Sequence, residues 1–280
     1  AGTNPTVNNT AYSDGFSASE AETWNMICVD TDDTAVHALL HAFISRIYED
    51  GAYPMGVVSE KHTVDLEDRM EHAAAFNDEK IHYVLNSWVG SDGTIYEGYL
   101  AAARIAGMIA ASAANESLTH TVISGATTLN EALTNAQIKK ALKSGCIVLS
   151  LSKSRQVWIE KAINTLVTLA ANQDAGWKKI RRVKTRYELM NRIEATVEPM
   201  IGTVDNDADG RAAIIAAAQR VVDAMAGEKK LIPGGTVTED ANNPATGDSA
   251  WFIVAVDDLD SIETIYLTFR FRFAADTETE

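Results

Sequence analysis

With only two cysteines in 280 residues, Cys28 and Cys146, the chain cannot be a disulfide scaffold. Each lies in an apolar stretch (MICV and GCIVL), which predicts buried, reduced thiols rather than a metal knuckle. Long hydrophobic runs are missing too, since none reaches the ~18–20 residues that span a bilayer. The nearest, Tyr99–Ala114, is alanine-rich and broken by Arg104, so it reads as a helix buried inside a domain, and no membrane anchor is expected. The opening AGTNPTVNNTAYSDG reads as a polar loop with no apolar signal core, and Ala1 in place of Met makes a fragment or processed form the expectation. Cations are scarce. There are 24 Lys+Arg against 39 Asp+Glu, a net charge of −15, and residues 1–45 hold no Lys or Arg. Nucleic-acid binding draws on cations that neutralise phosphates, so no nucleic-acid partner is expected, nor an anionic lipid surface. G-x-S-x-G, G-x-G-x-x-G and G-x-x-x-x-G-K-[ST] are all absent, leaving neither a nucleophile elbow nor a phosphate cradle, and no cofactor is implied.

What is present is ordinary globular material: 46% hydrophobic and 22% charged residues, in a length that suits about two domains. The first half alternates. Strands are expected at Trp24–Asp30, Pro54–Glu60, Ile81–Val89 and Cys146–Ser150. Helices are expected at Thr34–Asp50, Val64–Phe76 and Gly98–Ala114, and from a capping box at Thr134–Gln137 to Lys143, with Gly145 as the stop. This pattern predicts an α/β fold with a parallel sheet. Beyond a boundary near Ser152–Arg155 the character becomes α+β. Val157–Leu169 is strand-like and then irregular. Long helices follow at Trp177–Ile201 and Asp209–Gly227, then strands at Gly234–Glu239, Ser249–Asp258 and Ile262–Phe273.

Three patterns offer chemistry. Asp205-Asn-Asp207-Ala-Asp209-Gly210 opens like a calcium loop, yet position 12 is Ala216 where a bidentate carboxylate is required, so the acids read rather as caps of the next helix. His37 and His41 have i, i+4 zinc spacing but no third ligand nearby in sequence. Nucleophilic catalysis needs a Ser or Cys held by a His, and no spacing here marks one. An α/β hydrolase and a calcium- or metal-responsive module therefore stand only as alternative functions, and no catalytic or metal residue is assigned.

Two other features call for a partner. The segment Trp177–Glu194 gathers Lys178, Lys179, Arg181, Arg182, Lys184, Arg186 and Arg192 against Glu188 and Glu194 in an otherwise acidic chain. This reads either as a solvated helix face or as a contact with an acidic protein surface. In Ile262–Phe273, Leu267, Phe269, Phe271 and Phe273 alternate with Tyr266, Thr268, Arg270 and Arg272. An aromatic strand beside the chain end needs a pairing partner, either Trp251–Val256 of the same chain or a neighbouring subunit.

The ordered set MICVDTDD (Met26–Asp33), LTHTVISGA (Leu118–Ala126), LTNAQIKKALKSGCIVLS (Leu133–Ser150), INTLVTL (Ile163–Leu169), Lys178–Val204, DNDADGRAAIIAA (Asp205–Ala217) and AVDDLDSIETIYLTFRF (Ala255–Phe271) resembles the tail sheath proteins of contractile phages and phage-like particles. The resemblance implies a structural protein and not an enzyme. It implies a subtilisin-like α/β sheath domain at 1–153, incomplete at its N-terminus, and a smaller α+β C-terminal domain at 154–280 that ends in a strand arm. It further implies a helical homo-oligomer around a tail tube that contracts to drive the tube through the host envelope. Baseplate and tail terminator proteins would be further partners, and the location would be the virion tail after synthesis in the bacterial host cytoplasm. Ile262, Ile265, Leu267, Phe269, Phe271 and Phe273 would then form the subunit-linking strand, and Lys178, Lys179, Arg181, Arg182, Lys184 and Arg186 a tube-facing basic helix.

Overall fold

The computed structural model describes residues 7–271. Its first element corrects an expectation. The polar opening is not a loop throughout, because Asn8 caps helix α1 (Asn9–Ser19) by accepting from the Ala11 amide at 3.0 Å. Phe16 anchors α1, stacking on Phe43 at 5.2 Å between ring centroids. Strand β1 (Met26–Cys28) leads through Asp33, which caps helix α2 (Thr34–Glu49), to β2 (Met55–Ser59). Helix α3 (Leu66–Phe76), β3 (Ile81–Val84), β4 (Trp88–Gly90), β5 (Ile95–Tyr96) and α4 (Tyr99–Ala111) follow. After β6 (Ala126–Leu129), the Thr134–Gln137 capping box starts α5 (Asn135–Lys143). Gly145, at φ +79°, turns the chain into β7 (Cys146–Ile147).

Strands β1, β2, β3 and β7 form one parallel sheet in that order. Because alternate side chains face opposite ways, one face presents Val58, Ile81, Tyr83 and Cys146 to α2 and α3. The other presents Met55, Val57, Val84 and Ile147 to α4. Gly56 lets α2 come close, since a Cβ there would meet the Ile44 side chain at 2.6 Å. Cys146 is buried as expected, whereas Cys28 is half-buried.

Two apolar runs that read as single strands divide. Ile81–Val89 splits into β3 and β4, which belong to different sheets. Asn86 sits at the break and replaces the lost ladder: its amide donates to the Leu149 and Glu131 carbonyls, and its Oδ1 accepts from the Leu149 amide at 2.8 Å. Cys146–Ser150 likewise divides into β7 and β8 (Leu149–Leu151), and β8 pairs antiparallel with β9 (Val157–Ile159). The boundary expected near Ser152–Arg155 thus falls in a hairpin turn.

Residues 160–179 cross the body without long elements, pinned by buried Asn164 and Thr165. A short 3-10 turn (Ala175–Lys178) then precedes α6 (Ile180–Val197), so the helix expected at Trp177–Ile201 is shorter at both ends. The first half of α6 enters the α/β core through Ile180, Val183 and Tyr187. Its second half, from Leu189, packs on α7 (Ala208–Gly227) in a small cluster with Ala218, Val222, Met225, Leu231 and Val237. Strands β10 (Thr236–Glu239) and β11 (Phe252–Ala255) form a two-stranded antiparallel ribbon beside α7.

Candidate assembly surface: the C-terminal arm and its anchor

The described part of the strand expected at Ile262–Phe273 is not formed. Up to Phe271 the segment has no ladder partner among the described residues, and Phe273 lies outside them. Strand β11 pairs with β10 instead, so Trp251–Val256 does not take up the arm. Ile262, Ile265, Leu267, Phe269 and Phe271 are all at least 71% exposed. Water is a poor medium for such a row, and its burial against a partner strand would release about 1.5–3 kcal/mol per large side chain. The nearby ribbon also carries apolar surface, with Trp251, Ile253 and Val254 exposed. A ribbon of two strands leaves outer edges unpaired, and such edges accept further strands.

The basic helix departs from the reading of a free cationic face, because each of its six cations already has a partner within the chain. Lys178 donates to the Val167 carbonyl at 2.6 Å. Lys184 donates to the Ile109 and Ser112 carbonyls at the end of α4, and burial lowers its pKa to about 8. Arg186 pairs with Glu79 at 3.3 Å and lies 3.4 Å from the Trp177 ring centroid. Lys179, Arg181 and Arg182 turn instead toward the acids before the arm. Lys179 reaches Asp260 at 2.6 Å and Glu263 at 3.3 Å, and Arg181 lies 3.5 Å from Asp260. Arg182 grips Asp258 through two nitrogens. The structure therefore joins two features that sequence reasoning kept apart, the cationic turn and the root of the arm. Asp258, Asp260 and Glu263 were missed as members of this site. Their signal was the DDLDSIE run, complementary in sign to KKIRR.

The other chemical candidates resolve into structural roles. Asp207 caps α7 by accepting from the Gly210 amide at 2.8 Å, so the calcium-like loop is a helix entry. His37 is buried against the Thr31 carbonyl, while His41 pairs with Asp78 at 2.9 Å, so the two rings serve different partners. Among the described residues no group of three or more His, Cys, Asp or Glu is placed to share a metal, and no helix is long and apolar enough to cross a membrane.

The described chain is a parallel α/β body followed by an exposed apolar segment at Ile262–Phe271. Residues 6–165 match the model of the phage tail sheath protein central domain, and the chain belongs to that family. The family is one of structural sheath proteins, not of enzymes. The Bacillus subtilis (strain 168) protein YqbK is 26% identical over 203 residues, covering 71% of this chain and 41% of that protein. The crystal structure of a sheath tail protein from Desulfitobacterium hafniense superposes with a TM-score of 0.75 at 24% identity, covering 91% of this chain and 61% of that one. A contracted helical sheath of the anti-feeding prophage gives 0.70 at 10% identity, covering 96% and 76%. At these identities the structural likeness is one of fold. The chain spans about two fifths of YqbK and about three fifths of the Desulfitobacterium protein.

Proposed function

We propose that the chain is the sheath-forming part of a contractile tail, polymerising as a helical sleeve around a tail tube and contracting to drive the tube through a host envelope. In this reading residues 1–153 supply a subtilisin-like body without protease chemistry. Residues 154–280 supply the C-terminal part, although shared packing extends the body as far as Tyr187. The observation that carries the reading is the exposed, unpaired apolar segment Ile262–Phe271. Donated to the edge of a neighbour's ribbon, it would link subunits by main-chain hydrogen bonds, which hold while rigid bodies pivot. Contact with the tube, baseplate and terminator belongs to the same proposal, as does a place in the virion tail after synthesis in the host cytoplasm. A tube contact through Lys178–Arg186 would have to form beside the partners these cations already have within the chain.

The test is replacement of Phe269 and Phe271 by Asp in the intact particle, with electron microscopy of the tails. Bare tubes, together with a soluble subunit of unchanged circular dichroism, are expected. Normal sheaths built from the variant would overturn the arm as the link between subunits, and normal sheaths in particles that lack the chain altogether would overturn the sheath role.

A further inference from the structure

We infer that residues 257–263 form an ion-pair clamp that fixes where the C-terminal arm leaves the subunit and transfers pull on the arm to α6 and the α/β body. The strap is held along its length. The Ile232 amide donates to the Asp257 carbonyl at 2.8 Å, and the Leu259 amide donates to the Lys230 carbonyl at 3.1 Å. Asp258 then meets Arg182, Asp260 meets Lys179 and Arg181, and Glu263 meets Lys179. Glu263 goes further. Its side chain is only 8% exposed, and it accepts from Ser117 Oγ at 2.8 Å and Thr119 Oγ1 at 3.3 Å, both on the segment after α4. The last anchor before the arm is therefore the α/β body itself.

Local details fit this role. Gly176 makes room for the clamp, since a Cβ there would lie 1.3 Å from Arg182 Nη1. Burial alone would raise the Asp260 carboxyl, yet the Lys179 hydrogen bond, the Ser261 amide and the charges of Lys179 and Arg181 hold it below the usual carboxylate range. Arg181, with its side chain 5% exposed, also donates from Nε to the Asn115 carbonyl at 2.7 Å, an anchor independent of the acid.

The order of anchors gives the clamp its use, which rests on the arm reading above. Pull from residue 264 onward loads Glu263 first, then Asp260, then Asp258, and reaches β11 last. Without the clamp the same pull would peel a two-stranded ribbon whose strands are four residues each.

The test is amide hydrogen exchange on the full 280-residue chain in its unassembled state, comparing the unaltered protein with D258N/D260N/E263Q. The Leu259 and Ile232 amides are expected to exchange roughly tenfold faster in the variant, the loss of a cooperative set of partly buried pairs. Raising NaCl from about 50 mM to about 500 mM is expected to speed these two amides roughly threefold in the unaltered protein and to leave the variant unmoved. Unchanged protection in the variant, or an equal salt response in both proteins, overturns the clamp. If the variant does not fold, the unaltered chain decides, and absence of any salt response overturns it. Neither readout involves assembly, so normal sheaths from arm-ablated subunits would sink the arm linkage and leave this result standing.

Discussion

Strand β2, MGVVS, is poorer in strand-forming residues than the run Ile262–Phe271, yet every residue of β2 is buried and the large apolar residues of the arm stand in water. The difference is not one of composition. Strand β2 has a parallel neighbour on each side and a helix layer over each face. The arm has a clamp at its root and no partner beyond it. Strand propensity is therefore a property of the segment, whereas strand formation is a property of what lies beside it. The two regions should respond in opposite ways to substitution, the body through stability and the arm through association.

The largest effect should come from the ion pair of the body between buried Arg69 and Glu131, whose side chain is 21% exposed. Arg69 has a side chain 1% exposed and donates to Glu131 through both terminal nitrogens, at 2.9 and 2.6 Å, and to the Leu85 carbonyl. Glu131→Ala leaves that guanidinium without its counter-charge and should cost about 3–5 kcal/mol. Urea unfolding of the unassembled chain measures it. A cost below about 1 kcal/mol would show that the carbonyl partners suffice. Next comes Ile105→Ala on α4, a fully buried side chain in the core on the α4 side of the sheet, with an expected loss of about 2–5 kcal/mol in the same assay.

Much of the body could be read in the sequence because local signals and tertiary outcome agree there. The stripe Val36, Leu40, Phe43, Ile47 faces the core of α2, and the Thr134–Gln137 box opens α5 with both reciprocal hydrogen bonds made. The failures have physical causes. A hydrophobic run does not reveal where a ladder stops, so Ile81–Val89 concealed the crossing at Asn86. A polar opening concealed α1, whose stability comes from the distant ring of Phe43. In the site, the alternating aromatic pattern read as a strand, and no ladder forms up to Phe271 among the described residues. The cationic turn was visible as charge, but its destination was not, because Lys179 and Asp260 are 81 residues apart and only the fold brings them together.

A smaller effect separates the regions by pH. His82 is on the α4-facing side of β3, fully buried, with neither ring nitrogen hydrogen-bonded to the protein. Burial pushes its pKa down from 6.5 to about 3; Asp78 opposes the shift and Lys184 adds to it. Above pH ~6.5 both folded and unfolded states are neutral here, and the group contributes no pH dependence. Below that value the unfolded chain takes up a proton that the folded chain refuses. Stability should therefore fall, by up to ~1.4 kcal/mol per pH unit for this group, until the folded value is approached. His37, lowered chiefly by burial, adds a slope of the same sign. His82→Leu should remove about half of the decline between about pH 6.5 and about pH 5, as read from urea midpoints. An unchanged slope would mean that His82 is protonated in the folded body.

The smallest change is the sharpest test of the contrast. Phe269 is 73% exposed, and its ring lies near that of Phe271, with centroids 6.5 Å apart. Truncation to Ala removes little buried area, so unfolding of the unassembled chain should shift by less than about 0.5 kcal/mol, far below the cost at Ile105. The same truncation removes a large apolar group from a surface that has reason to associate, so self-association seen by analytical ultracentrifugation should weaken. A loss of about 2 kcal/mol or more in the unassembled chain would instead mean that the arm folds back on its own subunit in solution. The difference between the two regions would then be one of packing quality rather than of partner, and the clamp would anchor an internal strand rather than a donated one.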